Sequence, residues 1–311
     1  MASTPSLRIG TRGSPLALAQ AEETRRRLEE AFPELTGAIH TEIIHTTGDN
    51  IQDRPLSAIG GKGLFTKEID EAQLEGRVDI AVHSMKDVPT VLPDGLILAA
   101  LLPREDVRDV LISSKGRSLA ELPAGAVVGS ASLRRAAQIL RRRPDLSVIS
   151  FRGNVQTRLR KLAEGQVDAT LLAMAGLNRL GILPIEAAPL STEEMLPAVA
   201  QGAIGITCRE DDARARELLA VLDHLPTRQR VTAERTFLAV LDGSCRTPIA
   251  GLAELKEEGR LDFTGMILKP DGSSAYDVVA AGLATEAESL GRSAGETLLK
   301  LAGPTFLAPH S

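Results

Sequence analysis

The stretch Ile80-Ala81-Val82-His83-Ser84-Met85-Lys86-Asp87-Val88-Pro89 sets a lysine and an aspartate at the end of an apolar run. The β-branched residues of that run make Val78–Val82 a buried strand. Pro89 biases Val88 toward an extended conformation and keeps the turn from becoming a helix. A carboxylate at the C-terminal end of a buried strand lies where α/β sheets put their ligand crevice. There Asp87 can act as a general acid/base or hold a cation; as part of a surface Lys-Asp turn it would do neither. Lys86, with an aspartate beside it and no sign of desolvation, suits a carboxylate contact better than a Schiff base. His83 precedes Asp87 by four residues, but the strand context speaks against a metal pair. Nothing else supplies ligands, so no metal is expected.

Charge is unevenly spread. The 311 residues carry a net charge of −5, yet nine basic residues stand against two acids between Ser130 and Gly165. An acidic protein with one arginine-rich segment suggests an anion site and not a sheath for a polyanion. Two helices of that segment open on polar pieces, Ser130-Ala131-Ser132-Leu133-Arg134-Arg135 and Phe151-Arg152-Gly153-Asn154. Each follows an expected strand, so each points N–H groups and arginines to one end of a sheet. Arg141-Arg142-Arg143 falls at a helix C-terminus, where cations suit the dipole, and is expected to be a solvated end. Arg12 and Ser14 sit at another strand-to-helix junction, because Ser14-Pro15 caps and opens a helix after the strand Leu7–Thr11.

The remaining elements follow in order. Ile39–Ile44 is a strand. Thr46–Lys62 is polar, glycine-rich and without period, a loop of a length that is usually functional; it is expected to be a mobile lid carrying Lys62. Its end, Gly60-Gly61-Lys62-Gly63, fails the P-loop pattern, since Leu56 stands where the first glycine belongs and no Ser or Thr follows the lysine. A second α/β unit has strands at Val110–Ile112, Ala126–Val128, Leu146–Ile149 and Ala169–Leu172. Gln201–Cys208 reads as a strand returning to the first unit, which gives two lobes with two connections. After Leu225 come a helix at Arg230–Leu241, three β-like segments (Ile249–Leu255, Leu261–Leu268, Ala275–Ala281) and a helix at Glu286–Ala302. The fold expected is α/β, two lobes with a cleft between them plus a small C-terminal α+β domain. The domains are 1–102 with 198–224, 103–197, and 225–311.

Composition excludes several classes. Aromatics are 2%, with no Trp, which weighs against single-stranded nucleic-acid binding by stacking. No apolar run reaches transmembrane length, and Met1–Ser6 lacks the apolar core of a signal peptide. Two distant cysteines make no disulfide framework, so a reducing, cytoplasmic setting is expected. Cys208 lies in an apolar strand and is expected to be a buried core thiol. Cys245 stands in the Gly-Ser loop Gly243-Ser244-Cys245-Arg246-Thr247-Pro248, where residue type alone still favours a small core cysteine.

Taken together, Thr11-Arg12-Gly13-Ser14-Pro15, Gly60-Gly61-Lys62-Gly63-Leu64-Phe65, Ala81–Pro89, Ser132-Leu133-Arg134-Arg135, Arg152-Gly153-Asn154-Val155, Ala175-Gly176-Leu177, Gln201–Gly205, Glu234-Arg235 and Gly243–Pro248 closely resemble the porphobilinogen deaminase (hydroxymethylbilane synthase) family along nearly the whole chain. The resemblance implies an enzyme that joins four porphobilinogen molecules head to tail with loss of ammonia and frees hydroxymethylbilane, in haem and tetrapyrrole biosynthesis. It implies two lobes like type II periplasmic binding proteins and a dipyrromethane cofactor held by a thioether to Cys245. It assigns Asp87 the catalytic role and gives Lys86, Ser130, Ser132, Arg134 and Arg135 to the cofactor. Arg12, Ser14, Arg152, Arg158 and Arg179 go to substrate and growing chain, with Phe65 against a ring. Ala131 departs from the family, where a hydroxyl residue is common. A monomer is implied, with a transient hand-off of product to uroporphyrinogen III synthase, and neither nucleic acid nor membrane as partner. A non-catalytic anion-binding protein of the two-lobe class would explain the sheets and the arginines but not the Gly-Ser-Cys loop. A nucleic-acid binder would explain neither the net acidity nor the aromatic deficit.

Overall fold

The computed structural model describes residues 6–50, 63–182, 184, 186–241, 247–303 and 306. The chain runs β1 (Leu7–Thr11), α1 (Pro15–Ala31), β2 (Ile39–Ile43), the single turn α2 (Thr47–Asn50), α3 (Lys67–Leu74), β3 (Ile80–Ser84) and β4 (Leu96–Leu101). It continues with β5 (Asp109–Ile112), β6 (Val127–Gly129), α4 (Leu133–Arg142), β7 (Ser147–Ile149), α5 (Val155–Ala163), β8 (Ala169–Ala173), α6 (Met174–Leu180) and β9 (Ala187–Pro189). Then come β10 (Ile204–Arg209), α7 (Ala213–Ala220), α8 (Leu225–Val240), β11 (Ile249–Leu255), β12 (Arg260–Leu268), β13 (Ala275–Leu283) and α9 (Ala287–Ala302). Most of the expected loop at 46–62, Lys62 included, lies outside the described residues.

The fold is α/β. The described residues within 1–53, 61–105 and 202–228 make one compact unit, and those within 106–201 and 229–311 make the other. The first holds a five-stranded sheet of order β2-β1-β3-β10-β4, the second one of order β7-β6-β8-β5-β9 and a three-stranded antiparallel sheet β11-β12-β13. Both large sheets are built alike. Three strands run parallel, and one strand is antiparallel to both of its neighbours: β10 between β3 and β4, β5 between β8 and β9. β10 therefore does return to the first sheet, as the Gln201–Cys208 pattern anticipates. By its contacts the small C-terminal sheet groups with the second large sheet.

Parallel strands covered on both faces read as apolar runs. In the first unit Leu7, Ile9, Val82, Ile204 and Ile206 pack with Ala21 and Leu28 of α1, while Val78 and Ala81 pack with Ile69 and Ala72 of α3. In the second unit Leu111, Val128, Ala169 and Leu171 pack with Ile139 of α4, and Val110, Ile112 and Leu172 pack with Leu177 of α6. The small sheet is closed by Phe237 of α8 on Phe263, ring centroids 4.8 Å apart. At Gly265 a Cβ would lie 2.5 Å from the Phe237 ring, so only glycine leaves space for it.

One polar chain crosses the first core. Gln73 donates to Thr207 O (2.7 Å), Thr207 Oγ1 donates to Gln73 Oε1 (2.9 Å), and His83 Nε2 meets Thr207 Oγ1 at 3.1 Å. Because the Thr207 hydroxyl proton is already used, His83 is the donor, in its Nε2–H tautomer. Burial, reinforced by the Arg12 charge, pushes His83 down to about 4 from 6.5. Asp70 moves the other way, up to about 6, through burial and then Glu71 and Glu68, with Thr66 opposing.

A histidine whose folded pKa is depressed lends stability that is full above its unfolded value and lost as pH falls through the window from 6.5 to about 4, here about 3 kcal/mol in all. Asp70, raised, regains stability over an overlapping window and masks this in the wild type. His83→Asn should therefore gain on wild type as pH falls from 7 to 4.5 in urea unfolding; a wild-type-to-variant difference that is flat with pH would contradict the assignment. In the β12–β13 turn, Gly272 has φ +73° and a Cβ there would meet Arg141 N at 2.5 Å and Ala137 O at 2.7 Å, both backbone atoms of α4. Gly272→Ala should lower stability by about 1–3 kcal/mol by forcing the hairpin off the helix. An unchanged denaturation midpoint would show the contact to be dispensable.

Candidate functional site

In the first unit β1 and β3 are parallel neighbours, and their C-terminal ends carry Arg12 and the Met85–Asp87 turn. Ser14 caps α1, its Oγ accepting from Ala17 N at 3.2 Å, which fixes the short link in which Arg12 stands. Met85 N donates to Ala203 O at 3.0 Å, and Val88 N donates to Met85 O at 3.2 Å. The Ser84 hydroxyl and the Gln20 amide bond each other in both directions, at 2.8 and 3.1 Å, and tie the end of β3 to α1. These contacts bring Asp87 Oδ2 to 3.9 Å from Arg12 Nη1, with both side chains about a quarter exposed. The Arg12 guanidinium lies 4.3 Å from the centre of the Phe65 ring, a cation–π contact. Leu64 O accepts from Gly48 N at 2.9 Å, and a Cβ on Gly48 would fall 2.4 Å from the Phe65 ring. Arg12, Phe65 and Asp87 thus form one cluster. Lys86 is exposed on the same turn.

In the second unit Ser132 caps α4, its Oγ accepting from Arg135 N at 3.4 Å, and Ser130 Oγ accepts from Ser132 N at 3.2 Å. Both serines shape the strand-to-helix turn, with Ala131 between them. Arg134 and Arg135 do not lie on the surface: they are 5% and 6% exposed. Arg134 Nη2 donates to Asp109 Oδ2 and Arg135 Nη2 to Asp109 Oδ1, each at 2.7 Å. Their other Nη atoms donate to Leu196 O (2.6 Å) and Leu171 O (2.8 Å). Gln201 Nε2 adds a third bond to Asp109, at 2.9 Å. Burial alone would push the Asp109 carboxyl up; the two guanidiniums overcome that and hold it far below the usual carboxylate range. Burial and the neighbouring Arg135 lower Arg134, against the pull of Asp109.

Asn154 caps α5 through Thr157 N at 2.8 Å. Arg158 donates through Nε to Gly153 O at 2.8 Å. Burial first, then Arg135 and Arg152, bring Arg158 down to about 10, so it stays charged at neutral pH while reporting a positive surrounding. Arg179 stands in the last turn of α6, which ends on Gly181 in the left-handed region.

Arg141 and Arg142 are exposed in the last turn of the helix, as expected of a solvated end, but Arg143 is partly covered. Arg143 donates to Leu119 O (2.6 Å), Ala120 O (3.1 Å) and Leu122 O (3.0 Å) and pairs with Asp145. Arg142 holds the carbonyls of Glu193 and Glu194. A guanidinium has five donors, and the loops before and after the helix offered carbonyls within reach. Sequence reasoning also missed Asp109. The available signal was an acid opening the otherwise apolar strand Asp109-Val110-Leu111-Ile112, where a charge has to be paired.

Cys245 lies outside the described residues. Cys208 is fully buried, and burial, then Asp212, pushes its thiol up to about 11. Among the described residues no group of three His, Cys, Asp or Glu is placed to hold a metal, and none of the helices is long and apolar enough to cross a membrane. The arginine cluster does fit a carboxylate-bearing cofactor. One carboxylate serves two guanidiniums, and the buried Nε of each has no hydrogen-bond partner.

Comparison with known proteins agrees with this chemistry. Residues 7–217 match the porphobilinogen deaminase dipyromethane cofactor binding domain, and residues 228–300 match the porphobilinogen deaminase C-terminal domain. The chloroplastic porphobilinogen deaminase of Oryza sativa subsp. japonica is 59% identical over 307 residues, 96% of this chain and 85% of that one. The porphobilinogen deaminase of Paracoccus denitrificans is 56% identical over 292 residues, 94% of this chain and 93% of that one. Among solved structures, the methionine-binding protein MetQ is 14% identical with a TM-score of 0.44, covering 75% of this chain and 93% of that one. Matched in both its parts and at more than half identity over nearly its full length, the chain belongs to the porphobilinogen deaminase family.

Proposed function

We propose that Asp87 and Arg12 form the reacting centre, and that the buried arginines of the second unit hold the cofactor. As a member of its family the protein is a transferase of tetrapyrrole biosynthesis, joining four porphobilinogen molecules head to tail with loss of ammonia and releasing hydroxymethylbilane. The observation that carries the residue roles is the Arg12–Asp87–Phe65 cluster: an acid, a carboxylate-binding cation and an aromatic face set at the ends of two parallel strands.

Each porphobilinogen carries an acetate and a propionate, which suit the planar, permanently charged guanidinium of Arg12. Deamination places positive charge on the pyrrole nitrogen. The Asp87 carboxylate near that N–H stabilises the charge, and as an acid it can deliver a proton to the leaving amine nitrogen. Phe65 holds the Arg12 guanidinium by its ring face and offers an apolar wall. Arg152, Arg158, Arg179 and Ser14 complete the contacts to substrate and growing chain. A dipyrromethane attached through a thioether to Cys245 supplies the primer on which the chain is built. Lys86, Ser130, Ser132, Arg134 and Arg135 hold its carboxylates. The three-domain division with boundaries 1–102 and 198–224, 103–197, and 225–311, a monomer in the cytoplasm, and hand-off of product to uroporphyrinogen III synthase belong to the same reading.

Asp87→Asn keeps size and one acceptor oxygen but removes the charge and the proton. It should fold, retain cofactor and lose roughly 10²–10⁴-fold in turnover. Turnover within about tenfold of wild type would take Asp87 out of the reacting centre. For attachment, Cys245→Ala should give protein of bare polypeptide mass and no activity, whereas Cys208→Ala, whose thiol is buried and hard to ionise, should keep both cofactor and activity. Intact mass under oxygen-free handling decides the pair, and a loaded Cys245→Ala protein would end the assignment.

A further inference from the structure

A cluster of charges built only for stability matches its signs and satisfies its donors, since an unpaired buried charge or polar group is costly. The cluster around Asp109 does neither. Its single carboxylate lies at 0% exposure between two guanidiniums. Both carboxylate oxygens are committed, Oδ2 to Arg134 and Oδ1 to Arg135 and Gln201. Each arginine spends its other Nη on a main-chain carbonyl, and each Nε–H is left buried without a partner. Charge is therefore left over, and the two unmet donors sit on adjacent residues.

Consecutive helical residues diverge by about 100° around the axis, so Arg134 and Arg135 have no intrinsic reason to converge. Like charges side by side would drive one of them out to water. Asp109 prevents this. It opens β5, the strand that runs antiparallel between β8 and β9, and so it is fixed by an inner strand of the sheet and not by a loop.

We propose that Asp109 is the positioning residue for cofactor capture: it holds Arg134 and Arg135 together with their Nε–H groups unspent, and so sets where a carboxylate of the incoming dipyrromethane is received. This rests on the reading above that these two arginines contact the cofactor. Asp109 itself touches no substrate, and no bond is made or broken at it.

The test loads cofactor-free full-length protein with porphobilinogen and follows the mass gain of the covalent cofactor with time, beside the unfolding midpoint of the unloaded protein. Asp109→Glu keeps the charge but displaces the carboxylate. Gln201→Met keeps all three charges and removes one bond that fixes Asp109. Asp109→Glu should load tenfold to a hundredfold more slowly per folded molecule, the usual penalty for a displaced supporting group, and Gln201→Met several-fold more slowly. Arg134→Leu and Arg135→Leu should fail to load. If the arginine variants fail but both Asp109→Glu and Gln201→Met load at the wild-type rate, or lose only unfolding midpoint, Asp109 is structural and the inference is overturned alone. If the arginine variants load normally, the assignment of the arginines to the cofactor falls, and this inference with it. Should Asp109→Glu not fold, Gln201→Met decides: slowed loading supports the inference, and wild-type loading overturns it.

Discussion

Charge held in a dry interior is the constraint on which the second unit depends. Two guanidiniums are expensive to bury, and a single carboxylate does not cancel them. They remain because each guanidinium has two fixed acceptors: Asp109 from an inner strand of the sheet for both, Leu196 from the segment after β9 for Arg134, and Leu171 from the neighbouring strand for Arg135. The Leu196 segment is itself clamped to α4, with Gln138 donating to Leu196 O (3.0 Å) and accepting from Leu196 N (2.9 Å). Strand, helix and loop thus meet at one cluster. The Ser132 cap decides where the helix starts and therefore which residues reach the carboxylate.

The first unit solves a different problem. Arg12 and Asp87 are partly exposed and 3.9 Å apart, beyond hydrogen-bond range. Water screens such a pair, and it contributes little to stability. At that distance neither charge is locked to the other, and the Arg12 guanidinium is steadied by the Phe65 face. The rigidity lies one layer back, in the Gln20–Ser84 pair, in the Met85 amide on Ala203 O, and in Met85 packed over Gly205, where a Cβ would fall 2.0 Å from the sulfur. A partly exposed pair on a stiff base is an arrangement in which a carboxyl can change protonation state without the fold changing with it.

Much of this was legible in the residues, and the parts that were not share a cause. The inner strands β3, β8 and β10 were marked by apolar runs, since strands covered on both faces have no polar side to blur the pattern. The Ser14-Pro15 and Ser132 helix starts were visible because capping is local chemistry. β9 was missed: Ala187-Ala188-Pro189 is three residues long and is a strand only because β5 offers it an edge. Asp109 was missed because its meaning is non-local, lying in Arg134, Arg135 and Gln201, which stand 25, 26 and 92 residues away. The grouping of the small sheet with the second large one was likewise unreadable, since it depends on contacts such as Gly272 against α4.

The arginine-rich segment shows why composition locates an anion site but does not identify it. Between Ser130 and Gly165 the basic residues share one charge and differ in where their donors go. Arg143 gives its donors to three carbonyls and Asp145, Arg142 gives its own to two carbonyls, and Arg160 pairs with Glu164 at 2.9 Å. These side chains fasten loops or pair at the surface. Arg134 and Arg135 are as basic and more deeply buried, yet each keeps one donor unmet. Leaving a buried donor unmet costs free energy in the unliganded protein, and a bound carboxylate would return it. A residue is thus assigned to recognition less by its charge than by the hydrogen bond the fold does not make for it. By that criterion two adjacent residues stand apart from the rest of the segment, at the start of a helix and on opposite oxygens of the same aspartate.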